Sequence, residues 1–126
     1  MAEKYALIVM SEQGEDHPGG QGRMLHALKA AQEFKAAGVT AHLFFHGIGV
    51  QWLTLFETRP DKFTQHYGPL FDEVRDTIGG ACHFCAVTRF GAGAAAEQLG
   101  IPLLGAPGDH HSVAALVAEG YQPIIF

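Results

Sequence analysis

The chain has 126 residues, 48% of them hydrophobic, which suits one compact domain around one core. Eight Lys and Arg face thirteen Asp and Glu, a formal net charge of -5, and no stretch carries a basic run, which excludes the electrostatic footprint of a nucleic-acid binder. The apolar run behind Glu3 and Lys4 is too short for a signal peptide or a membrane span, so the expectation is a soluble cytoplasmic protein with no membrane partner.

Tyr5 to Met10 is a continuous apolar run, the pattern of a strand covered on both faces. A polar, Gly-rich loop follows from Ser11 to Gly22. Met24, Ala27, Leu28, Ala31 and Phe34 then recur at helical spacing, and Gly38 ends that helix where a left-handed residue is wanted. Val39 to Phe45 predicts a second strand. The turn Gly47-Ile-Gly49 leads into a short helix from Val50 to Phe56, and residues 57–68 are expected to be a surface excursion. Pro69 is expected to start a helix that turns Leu70, Phe71, Val74 and Ile78 inward and closes at Gly79-Gly80.

Ala81 to Phe84 predicts a short third strand, and 85–99 a helix that Gly91 and Gly93 weaken. Ile101 to Leu104 is the next strand. Asp109 is a good N-cap for a helix from His110 to Glu119, and Pro123 to Phe126 is a last apolar strand. This alternation predicts a single α/β domain with a mostly parallel five-stranded sheet and helices on both faces.

In open α/β sheets the site lies beyond the carboxyl ends of the strands. The sequence puts Glu12, Glu15, Asp16 and His17 after the first strand and His46 after the second. Cys82, His83 and Cys85 follow the third, and Asp109, His110 and His111 the fourth. Cys82 and Cys85, in "GACHFC", are the only cysteines. At a helix N-terminus, unpaired N–H groups and the macrodipole favour a thiolate, which predicts Cys82 as the nucleophile, with Arg89 able to attract an anion nearby. The alternatives are a redox pair, two inert buried thiols, or half of a zinc site completed by histidines, for which His17, His46, His110 and His111 are the well-placed donors. The loop "GEDHPGGQGRM" lacks the Gly-Lys-Ser/Thr ending of a phosphate-binding loop. Trp52, Leu53, Leu55 and Phe56 crowd apolar surface into a short element, which predicts a homo-oligomer with this region at or near the interface.

Three stretches carry a resemblance: "KYALIVM" with its helix, "HLFFHGIGV", and "GGACHFCAVTRFG". Together with the closing "YQPIIF" they resemble the DsrE/DsrF-like sulfur-relay family over nearly the whole chain. The resemblance implies a flavodoxin-like three-layer fold and an oligomer, often a trimer or hexamer. It also implies a cysteine that accepts a sulfane sulfur as a persulfide from a donor protein and passes it to an acceptor. The family's strand-end cysteine falls on Cys82, and some members carry a second at the Cys85 position. On that reading Cys85 resolves or receives, His110 or His111 handles protons, and no cofactor is needed. The alternative is a metal- or small-ligand-binding oligomer in which Cys82, Cys85, His17, His46 and His110 hold zinc or another soft metal.

Overall fold

The computed structural model describes residues 3–107 and 109–126. Five strands, β1 (Lys4–Val9), β2 (Thr40–Phe45), β3 (Ile78–Cys82), β4 (Leu103–Leu104) and β5 (Tyr121–Ile125), form one sheet in the order β4-β3-β2-β1-β5. Every pairing is parallel. The helices are α1 (Pro18–Ala37), α2 (Gln51–Thr58), α3 (Lys62–Val74), α4 (Gly93–Leu99) and α5 (Val113–Ala118), with a 3-10 turn over Gly47–Val50 leading into α2.

The side-chain alternation of the strands sorts the core into two unequal halves. Leu7, Val9, Leu43 and Phe45 face one way and pack with residues of α1 to α4, among them Met24, Leu28, Trp52, Phe56, Phe71 and Ala96. Ala6, Ile8 and Phe44 face the other way, under Leu116 of α5. The result is a flavodoxin-like three-layer α/β fold with one thick and one thin helical layer.

That inequality positions the site. From β1 to β4 each strand is laid beside the last in one direction, with α1 to α4 on one face. The chain then returns to the far side of β1, and α5 lies on the other face. The loops leaving β3 and β4, which are neighbours, therefore diverge to opposite faces. A crevice opens at such a switch point, and in α/β sheets that is where ligands sit.

Several expected elements are different in the structure. Residues 57–68 are not an excursion: Asp61 caps α3, its carboxylate accepting from the Thr64 amide at 2.8 Å and the Thr64 hydroxyl at 2.6 Å. Pro69 lies inside that helix rather than at its start. Gly79 and Gly80 do not close a helix but form part of β3, because there is no room for side chains. A Cβ at Gly79 would lie 2.5 Å from the Phe44 ring, and one at Gly80 2.5 Å from Leu104. Trp52, Leu53 and Phe56 are wholly buried within their own chain, with the Phe56 and Phe71 rings stacked at 4.5 Å. This removes the surface argument for an interface there. Ser112, not Asp109, caps α5, accepting from the Ala115 amide at 3.1 Å. Among the described residues no helix is long and apolar enough to cross a membrane.

Candidate functional site

Cys82 is the last residue of β3. Beyond it the chain does not enter the expected single helix. It makes a wide π-helical turn over Phe84–Arg89, breaks, and resumes as α4. The wide turn is marked by the Phe90 amide donating to the Cys85 carbonyl at 2.9 Å and the Ala92 amide to the Ala86 carbonyl at 2.7 Å. It brings Cys85 back beside Cys82, and both residues are buried, 3% and 1% exposed. The expected open helix terminus at Cys82 is therefore a correction on two counts. The thiols are covered, and the Phe84 amide at the start of the turn donates to the Asp109 carbonyl at 3.2 Å rather than to sulfur.

The donors that do reach the sulfurs come from the β4–α5 loop across the switch point. The His111 amide donates to Cys82 Sγ at 3.4 Å. His110 Nδ1 lies 3.7 Å from Cys82 Sγ and 3.9 Å from Cys85 Sγ. Its exposed ring packs on Phe84, centroids 4.6 Å apart, and its amide donates to the Asp109 carboxylate at 2.8 Å. Burial first, then hydrogen bonding and charge from Cys82, push the Cys85 thiol up, against the opposing pull of the Gly47 amide and the Arg89 guanidinium. Cys85 thus keeps its proton at neutral pH and serves Cys82 as a hydrogen-bond donor.

Behind His111 lies His46, 7% exposed, its Nε2 3.0 Å from His111 Nδ1. Burial, helped by repulsion from His111 and His110, pushes His46 down to about 4, and burial also lowers His111. Two neutral imidazoles can share one N–H, so the pair fixes the ring of the residue whose amide serves Cys82. On the α5 side a cleft of about 360 Å³ opens beside His111, lined also by His42, Phe44, Leu104, Glu119 and Tyr121.

The predicted site residues therefore divide. Cys82, Cys85, His110 and His111 come together, and His46 joins only through His111. His17 is elsewhere, its Nδ1 3.3 Å from Glu12 and its Nε2 3.8 Å from Asp16, so the expected five-residue metal set does not assemble. Among the described residues the donor group that converges is Cys82, Cys85 and His110, with ligand atoms all within 4.8 Å of one another. Arg89 sits over the Phe90 ring at 4.9 Å and acts on Cys85 by charge. Sequence reasoning missed the Gly47 amide and the Asp109 carbonyl; backbone groups carry no side-chain signal, although both follow strand ends.

Comparison with protein-family models, curated proteins and solved structures finds no match. Fold and site together define an all-parallel α/β protein with a dithiol–imidazole cluster at the carboxyl edge of its sheet.

Proposed function

We propose that this chain is a cysteine-dependent sulfur carrier. The observation that supports it best is the unequal pair: Cys82 takes a backbone N–H and faces His110 Nδ1, while Cys85 is held protonated beside it. N–H donors to sulfur favour a thiolate, and the thiolate is the nucleophile. In the step, the Cys82 thiolate attacks the outer sulfur of a donor persulfide, R–S–SH. The donor's S–S bond breaks, R–S⁻ leaves with the electron pair, and Cys82–S–SH remains. An acceptor thiolate then attacks that outer sulfur and releases Cys82 as thiolate, so no net oxidant or reductant is consumed. The approach of His110 Nδ1 to both sulfurs, 3.7 Å and 3.9 Å, supports a proton-handling role for it.

The resemblance to sulfur-relay proteins points the same way and implies a homo-oligomer, a trimer or hexamer. Light scattering at micromolar concentration tests the assembly, and a stable monomer refutes that part. Mass spectrometry after incubation with a persulfide donor tests the chemistry. One added sulfur on Cys82, lost in Cys82→Ser, is expected; no adduct on either cysteine sinks the reading.

A further inference from the structure

The same three atoms carry a second chemistry that sulfur transfer does not need. Zinc binds thiolate sulfur at about 2.3 Å and imidazole nitrogen at about 2.0–2.1 Å, which sets a sulfur-to-nitrogen edge of about 3.6 Å at a tetrahedral angle and about 3.8 Å at a trigonal one. The observed edges are 3.7 Å and 3.9 Å, with one imidazole nitrogen facing both sulfurs. Two edges of a zinc site are thus already set, and all three ligand atoms lie within 4.8 Å of one another. The two cysteines stand at the C-x-x-C spacing common in zinc sites. Their sulfurs are already met by backbone amides, the His111 amide at Cys82 and the Gly47 amide at Cys85, which is the outer support that metal thiolates need. Phe84 holds the imidazole plane.

We propose that Cys82, Cys85 and His110 form a zinc site with its fourth position open to an exogenous ligand, and that zinc and sulfane sulfur exclude one another. Two thiolates and a neutral imidazole bring two negative charges to a buried place, and a divalent ion cancels them, where a monovalent one leaves a net charge in low dielectric. Any cysteine that is protonated when zinc enters, Cys85 above all, gives up its proton to solvent. Metal-loaded Cys82 has no free thiolate with which to attack a persulfide.

The test uses full-length protein without a histidine tag, reduced and stripped of metal. Zinc is titrated against a chromophoric chelator, and Co²⁺ replaces it as the spectroscopic probe. One equivalent of zinc should bind, and Co²⁺ should give thiolate charge-transfer bands with the intense visible bands of a four-coordinate site. His110→Ala changes an exposed residue, and circular dichroism checks that it folds. It should weaken binding by more than about 100-fold, the upper end of what an outer-sphere partner costs. His17→Ala should leave binding unchanged, and zinc should protect both thiols from iodoacetamide. Substoichiometric zinc, unchanged affinity in His110→Ala, or equal alkylation with and without zinc each overturns the proposal.

Discussion

His46 offers the sharpest test of how the site is built. Its imidazole is 7% exposed and titrates at about 4, against 6.5 for a free histidine, with burial the leading cause. A base with a lowered folded-state pKa is protonated first in the unfolded chain as pH falls. Its contribution to stability is therefore complete above about pH 6.5, declines below it, and the loss levels off below about pH 4. Weighing the two titrations gives a loss of about 2 kcal/mol between pH 7 and pH 5, and about 3 kcal/mol at the limit. For a domain of this size that corresponds to roughly 5–9 °C in Tm. Urea denaturation at pH 7 and pH 5 reads it directly when wild type is compared with His46→Gln. The variant starts lower at pH 7 because its packing is imperfect, but its fall to pH 5 should be smaller than wild type's by about 2 kcal/mol. His42 is also lowered by burial and is far from the substitution, so it cancels, whereas His111 touches His46 and the difference reads the His46–His111 pair together. An equal fall in the two proteins would show that His46 is not held neutral in the fold, and the account of the His46–His111 pair would go with it.

Further outcomes follow from particular contacts. Trp52 Nε1 donates to the Ser11 carbonyl at 3.0 Å and its hydroxyl at 3.3 Å, and Gln13 Nε2 also donates to that carbonyl at 3.0 Å, so Trp52→Phe should cost the net worth of a hydrogen bond, about 0.5–1.5 kcal/mol, plus lost packing; no measurable cost in urea denaturation would refute a contribution from the bond. A Cβ at Gly20 would lie 2.1 Å from the Glu12 carbonyl oxygen, whereas one at Gly22, in the same helix, meets nothing. Gly20→Ala should lower Tm sharply and Gly22→Ala raise it, by about 0.5–1 kcal/mol of helix propensity, and the same sign for both would refute the packing assigned to the start of α1. Burial holds Cys85 protonated, so iodoacetamide at neutral pH should label Cys85→Ser, which retains Cys82, faster than Cys82→Ser; the reverse order makes Cys85 the nucleophile.

The alternation of strands and helices was legible because it rests on apolar runs and glycine stops, which are local signals. β1, β2 and α2 come out within two residues of expectation, whereas α1 begins at Pro18, inside the Gly-rich stretch expected to be loop as far as Gly22. What misled was glycine and proline with two meanings. Gly79-Gly80 reads as a helix stop but serves β3 because Phe44 and Leu104, distant in sequence, occupy the side-chain space. Pro69 reads as a helix start, yet the apolar side chains of α3 hold it mid-helix, and the Asp61 to Thr64 cap was the better signal. The convergence of Cys82 and Cys85 with His110 was half legible. Strand-end placement predicted the neighbourhood, but the contact depends on β3 and β4 being adjacent and on the wide turn at Phe84–Arg89, neither of which is written in any short stretch.

The two chemistries assigned to the cluster make opposite demands on His110. Both sulfurs are almost fully covered, so a persulfide donor cannot reach Cys82 without displacing something, while His110 is the exposed member of the group and lies against both sulfurs. Its contacts with them, 3.7 Å and 3.9 Å, are long for hydrogen bonds, and its ring is otherwise held by packing on Phe84. On the sulfur-carrier reading the imidazole would have to swing outward to admit a donor, with the His111 amide staying on Cys82 Sγ. Zinc, in contrast, needs the imidazole turned inward and would hold it there. If both proposals hold, the position of the His110 side chain would separate a form that receives sulfur from a form that holds metal, over the same thiol pair.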